Sequence, residues 1–324
     1  MDENMIGDFK ILAPNSAKDI SEIISESGVE VIAMLSPWVD VGGVGKITLN
    51  RLRDHMSASE LLSLNRPGKF YDFTRYRPTV RINSGKQVLK VPNTRIFYGS
   101  IGEKFYLLVY IKEPHSNAED LIDSLVSVFT RLGIKRYCRV GSMYDAVPHT
   151  RPIRISHTIN GSKVGSDSDS DSESDELIVS AYQGPTTILH QLNDKLMALG
   201  IETISLMAHL PQYLQFGSDL MGTACIMRYL CDIYGLPEDL IHRIDGEKQY
   251  GEVNSFVSDN HQVAKLIKEL ELAYDSMIFR EEGTSETTEN SLMDPQVKGF
   301  LEEMADRLDN NFIVDKDEDT KLDM

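Results

Sequence analysis

The sequence predicts an α/β fold, a mixed, mostly parallel sheet layered with helices and followed by a C-terminal helical part. Three observations carry this. Short apolar runs alternate with amphipathic helical patterns between Val29 and Ala208. The stretch from Ile178 to Tyr213 reads as one strand–helix–strand crossover. From Ser218 onward the spacing of Leu, Met and Val is helical.

The crossover organises the rest. Ile178 to Ala181 is a short apolar run, as a buried parallel strand should be. Tyr182-Gln183-Gly184-Pro185-Thr186 follows, with proline suited to the first turn of a helix. Ile188, Leu189, Leu192, Leu196 and Leu199 then recur at helical spacing, and Gly200 ends the helix. Thr203 to Ala208 is the next strand, and His209-Leu210-Pro211-Gln212-Tyr213 leaves its end. Open α/β sheets place ligands at such strand C-termini.

Taken in order, residues 1–24 are polar and mixed, an arm expected against a neighbouring subunit. Val29 to Leu35 is a buried strand running into Ser36-Pro37-Trp38-Val39-Asp40-Val41-Gly42-Gly43-Val44-Gly45, and a helix follows over Val44 to His55. The glycines invite a phosphate-loop reading, which the residues refuse. Asp40 stands where the first glycine belongs, and Ile47 replaces the hydroxyl residue that would hold magnesium. Asp40 suits a strand-to-helix turn instead, where a helix N-terminus stabilises a carboxylate.

Phe70 to Phe73, Thr79 to Asn83 and Lys86 to Val91 read as strands, the last two joined by a Ser84-Gly85 hairpin turn. Arg75, Arg77 and Arg81 form a basic cluster beside Tyr71 and Tyr76, for ion pairing or for an anion. Lys104 to Ile111 is a strongly apolar strand ended by Glu113-Pro114. Ala118 to Leu132 is an amphipathic helix closed by Gly133. Arg136 to Val147 is a strand region leading into Pro148-His149-Thr150-Arg151-Pro152, whose prolines hold His149 and Arg151 in place. Residues 161–176 open with Gly-Ser-Lys-Val-Gly, then alternate Ser with Asp or Glu, and are expected to be a disordered acidic insertion. Ser218 to Tyr234 is helical, Gly235-Leu236-Pro237 breaks it, and further helices run through Phe279. Pro295 to Leu308 carries a short acidic helix. The expected divisions are an arm over 1–24, an α/β domain over 25–216, a helical part over 217–280 and an acidic linker, helix and tail over 281–324.

Charge narrows the function classes. The chain of 324 residues has a formal net charge of −17, of which 161–176 holds −5 and 281–324 holds −10. The folded body is therefore nearly neutral, and no basic stripe supports nucleic-acid binding. No apolar run reaches the length that spans a bilayer, and Met1-Asp2-Glu3-Asn4 does not open a signal peptide. Cys138, Cys225 and Cys231 are unpatterned, which suits reduced thiols in a cytoplasmic protein and gives no metal motif.

Six motifs carry a resemblance. Trp38-Val39-Asp40-Val41-Gly42, Phe70-Tyr71-Asp72 with Arg77-Pro78-Thr79-Val80-Arg81, and Glu113-Pro114 are the first three. Asp145-Ala146-Val147-Pro148-His149-Thr150-Arg151-Pro152, Tyr182-Gln183-Gly184-Pro185-Thr186 and His209-Leu210-Pro211-Gln212-Tyr213 complete the set. Together, in order over about residues 29–275, they resemble the proteasome-assembly-chaperone family, in its bacterial long-form branch. The resemblance implies a three-layer α/β fold akin to nucleoside phosphorylases and peptidyl hydrolases. It also implies self-association, with a trimer favoured, and a protein partner such as proteasome-like subunits, without cofactor or metal. The residues expected to bind are Trp38, Asp40, Gly42, Arg151, Tyr182, Gly184, Pro185, Thr186, His209 and Tyr213. The alternative is a small-molecule enzyme or ligand sensor in which Asp40, His149 and His209 converge on one cleft, Arg151 holds an anionic group and a histidine moves the proton. The chain departs from the family in carrying Gln183 where a glutamate is usual, in its acidic insertion, and in ending Leu322-Asp323-Met324 where proteasome-docking members place a tyrosine next to last.

Overall fold

The structure is a computed structural model and describes residues 4–12, 28–163, 177–178, 186–258 and 261–281. Its strands are β1 (Met5–Ile6), β2 (Phe9–Ile11), β3 (Val29–Ser36), β4 (Ser59–Leu64), β5 (Thr79–Asn83), β6 (Lys86–Lys90), β7 (Arg95–Ile101), β8 (Lys104–Lys112), β9 (Ile134–Asp145), β10 (Arg154–Ile159), β11 (Ser162–Lys163), β12 (Leu177–Ile178) and β13 (Glu202–Pro211). Its helices are α1 (Val44–Met56), α2 (Ala118–Arg131), α3 (Ile188–Ala198), α4 (Leu220–Tyr234), α5 (Arg243–Ser258) and α6 (His261–Glu281).

One mixed sheet runs in the order β1-β2-β4-β7-β8-β3-β9-β13-β10-β11, with β12 also on β10. Parallel pairing joins the four central strands β8, β3, β9 and β13. These are the apolar runs that burial on both faces demands. Apart from β12 on β10, the flanks are antiparallel, so "mostly parallel" holds for the centre and not for the sheet. β4 and β7, not foreseen as strands, build one flank by pairing with each other and with β2 and β8.

Alternation along the central strands splits the core in two. Ile32, Met34, Leu108, Cys138, Val140, Leu206 and Ala208 face α1, α4, α5 and α6. Val31, Ala33, Leu35, Leu107, Val109 and Tyr137 face α2 and α3. This is a three-layer sandwich, and the C-terminal helices share one core with the sheet. Each fully buried Leu, Ile or Val among these contributes about 1.5–3 kcal/mol.

Three expectations need correction. β12 runs parallel to β10, and β10 runs antiparallel to β13, so β12 and β13 point in opposite directions. The stretch around α3 is therefore not a parallel crossover; β9 and β10 already fill both edges of β13. The parallel crossover that does form is β8–α2–β9 around β3. Phe70 and Tyr71 are buried but not in a strand, because their amides close a turn on the Pro67 carbonyl. Residues 5–11 of the expected arm form a hairpin on β4 of the same chain, with Phe9 fully buried. The 164–176 portion of the acidic insertion, the Tyr182-Gln183-Gly184-Pro185 turn and the helix over 295–308 lie outside the described residues. Among those described, no helix is long and apolar enough to cross a membrane.

Candidate functional site: the rim at the strand ends

The C-terminal ends of β3, β9 and β13 open into three loops, 37–43, 146–153 and 212–219. The first loop lies on β9. Ser142 donates its amide to the Val39 carbonyl (2.9 Å) and its hydroxyl to the Val41 carbonyl (2.5 Å). Gly141 makes this possible, since a Cβ there would fall on the Val39 carbonyl oxygen. At the loop's far end the Asp219 amide donates to the Gly42 carbonyl (2.7 Å). Gly42 sits at φ +61°, and a Cβ on it would meet the Asp219 Cβ at 2.7 Å. Its role in the fold is this close approach.

Asp40 caps α1 from within the loop. Its Oδ1 accepts the Gly45 amide at 2.6 Å, and the Lys46 amide also donates to the carboxyl. The carboxylate therefore occupies the helix N-terminus that an external anion would use. Burial nevertheless pushes its pKa up to about 7, against the two amides and Lys46 that favour ionisation. Trp38, two residues earlier, is 64% exposed, and it is the only tryptophan in the chain.

The second and third loops are bonded to each other. The His149 amide donates to the Tyr213 hydroxyl at 2.7 Å, and His149 Nδ1 lies at the same distance from it. His149 Nε2 meets Asn254 Oδ1 of α5 at 3.0 Å. Burial lowers the His149 pKa, which keeps the ring neutral. Tyr250 of α5 packs edge-on to His149, with ring centres 6.2 Å apart, and donates to Asp219 Oδ2 at 2.9 Å. Contacts therefore pass without a break from Gly42 through Asp219, Tyr250 and His149 to Tyr213. Arg151 grips α6 through Nε and Nη2 to the two Asp275 oxygens, both at 2.8 Å, with Nη1 3.3 Å from Glu271. A cavity of about 460 Å³ lies between the 146–153 loop and helices α4 and α5, lined by His149, Arg151, Met221, Cys225, Arg228 and Tyr250 among others.

His209 belongs to β13 itself, which continues to Pro211, and is 8% exposed. Its Nδ1 is 2.8 Å from Asp145 Oδ2, and its Nε2 is 2.5 Å from the Ser156 hydroxyl. Asp145 is partly desolvated, which opposes ionisation. The His209 contact, the Ala146 amide and Arg154 outweigh this and hold its carboxyl below the usual range. The result is a serine–imidazole–carboxylate chain across β10, β13 and β9. Sequence reasoning named His209 as a site residue and Asp145 only within a motif, and it did not name Ser156. Ser156 reads as ordinary strand alternation, and only the pairing of β10 with β13 brings it near. Asp219 was also missed, although Ser218-Asp219 before an apolar helix is an N-cap signal. Thr186 is exposed at the start of α3, whereas Tyr182, Gly184 and Pro185 lie outside the described residues. Among the described residues no group of three or more His, Cys, Asp or Glu is placed to hold a metal ion.

Comparison with known proteins follows the same lines. No curated protein sequence matches the chain. Solved structures similar to it include the proteasome-assembly-chaperone homologue of Mycobacterium tuberculosis, at 21% identity and a TM-score of 0.62, covering 74% of this chain and 100% of that one. A second M. tuberculosis protein, of unknown function, is 21% identical with a TM-score of 0.69 and covers 86% of this chain and 92% of its own. PbaB of Pyrococcus furiosus, an archaeal proteasome activator, is 15% identical with a TM-score of 0.53, covering 72% of this chain and 95% of that one. The sequence profile of the PAC2 family matches residues 34–245, which contain all three rim loops. The chain belongs to the PAC2 family.

Proposed function

We propose that this chain is a protein-binding assembly factor of the proteasome-assembly-chaperone kind, cytoplasmic and self-associating. In this reading the rim of loops 37–43, 146–153 and 212–219 meets the partner. The observation that carries it is Trp38, 64% exposed on a turn bonded to β9 on one side and to Asp219 on the other. Tryptophan is among the residues enriched at the hot spots of protein interfaces. The polar groups of the neighbouring 146–153 loop are engaged within the chain, His149 by Tyr213 and Asn254 and Arg151 by Asp275, which suits a shaped surface. The names of two structural relatives, an assembly-chaperone homologue and a proteasome activator, support proteasome-type subunits as the partner class. The test is binding to purified proteasome-type subunits by calorimetry. Trp38→Ala is expected to weaken binding by about 30-fold, the effect of a hot-spot loss near 2 kcal/mol. Absence of binding by the native chain overturns the reading.

A second reading, an enzyme, is favoured by one observation, the Ser156–His209–Asp145 chain. That order gives a hydroxyl a base and the base an orienting carboxylate. A fluorophosphonate probe is the assay. Labelling at Ser156 that His209→Gln abolishes supports a nucleophile, and an unlabelled native protein removes this reading.

A further inference from the structure

We propose that the cavity between the 146–153 loop, α4 and α5 is a binding site for a small organic anion, a carboxylate or phosphate head on an apolar body. The inference stands apart from the protein partner proposed above, which is read from the exposed Trp38 and not from this concave wall. The volume of about 460 Å³ lies within the roughly 300–1,000 Å³ of small-molecule pockets. Three of the lining residues are arginines, Arg151, Arg228 and Arg243, and no Asp or Glu is among the described residues that line it. In a chain of net charge −17 this is a local reversal of sign. A concave wall of one sign gathers counter-ions. The rest of the wall is largely apolar, with Ile153, Met221, Ala224 and Ile241.

The other polar groups of the wall are already engaged. His149 meets Tyr213 and Asn254 through its two ring nitrogens, and Tyr250 donates to Asp219. Burial pushes the Cys225 thiol up to about 12, Asp219 adds to the rise, and Arg243 opposes it, so the Arg243 charge reaches the wall. The guanidiniums are the donors that remain, with five N–H groups each. Arg151 uses three of its own on Asp275 and Glu271, and Arg243 donates Nε to Glu247. Those acids do not line the cavity; they steady the two arginines from outside it. The N–H groups left over match the oxygens of a carboxylate or phosphate. A neutral ligand would leave three cations facing one another, and a bare inorganic anion would leave the apolar wall wet. The wall therefore suits both parts in one molecule. Neither Asp40 nor His209 lines it, so of the convergence expected from the sequence only His149 and Arg151 belong here.

The experiment titrates the full chain by calorimetry with hexanoate, hexyl phosphate, hexanol and inorganic phosphate. Hexanoate or hexyl phosphate is expected to bind at one site per chain with a Kd of about 1 mM or tighter, and the tighter of the two identifies the head group. Hexanol, which lacks the charge, and inorganic phosphate, which lacks the apolar body, are expected to bind at least about tenfold more weakly. The double variant Arg228→Gln, Arg243→Gln is expected to weaken the anion at least about tenfold, to the level of hexanol, with native circular dichroism. Should the double variant lose its native spectrum, Arg243→Gln alone, at the exposed first residue of α5, is expected to weaken the anion at least about threefold. Absence of binding by both hexyl anions overturns the inference. So does hexanol binding as tightly as the anions, or an affinity that ignores the arginine variants.

Discussion

Replacing Asp40 with asparagine changes the charge at the start of α1 and almost nothing of the shape, since an amide oxygen can accept the Gly45 amide as the carboxylate does. The native carboxyl has its pKa raised from 3.8 to about 7, chiefly by burial. Between those values the unfolded chain ionises and the folded chain does not. The native protein therefore loses stability from this group as pH rises through that window, and the loss is complete above about 7. At about 1.36 kcal/mol for each tenfold in proton affinity, the ceiling is about 4 kcal/mol. The residue is partly exposed, and solvent screening reduces the expectation to about 2 kcal/mol. Urea unfolding at pH 5 and pH 8 measures it. Asp40→Asn is expected to be more stable than the native chain at pH 8, with most of the difference gone at pH 5. An asparagine variant that is no more stable at pH 8, or whose advantage is equal at both values, refutes the reasoning. The cost also bears on function, because a carboxylate held against its own desolvation is a feature that perturbed sites share.

Three further outcomes are expected. Gly141→Ala should destabilise by about 2–3 kcal/mol, because its Cβ meets the backbone carbonyl of Val39 and the strand cannot yield; a change in melting temperature near zero would contradict this. Arg151→Met should loosen α6 by removing the bidentate grip on Asp275, so limited proteolysis should cut within 261–281 sooner than in the native chain; an unchanged cleavage rate would contradict this. His149 has its pKa lowered from 6.5 by burial, so below 6.5 the unfolded chain takes up a proton that the folded chain refuses, and stability falls on acidification. His149→Gln should flatten that part of the stability–pH curve, and an unchanged curve would show that the ring does not titrate there.

What was legible in the sequence follows the strength of local pattern. β3, β8, α2, β9 and α4 are long and periodic and stand close to where their apolar spacing puts them. The hairpin turn at Ser84-Gly85 is equally local. β4 and β7 were hidden because their strand character comes from partners distant in sequence, and the direction of β12 is set by β10 and not by its own residues. The site divides in the same way. Asp40 at a helix start and the proline-braced His149–Arg151 loop can be read from neighbours. The partners of His209 are 53 and 64 residues away, and only the order of strands brings them together. Trp38 was legible as a residue of interest, but its exposure is a property of the fold.

The account stands most directly on whether the rim of loops is the surface a partner covers. Hydrogen–deuterium exchange of the native chain, with and without a saturating proteasome-type subunit, reads this residue by residue. The account predicts slowed exchange across 37–43, 146–153 and 212–219, and weaker protection there in Trp38→Ala at the same subunit concentration. Protection confined to other segments, or none at all with the partner bound, would contradict it.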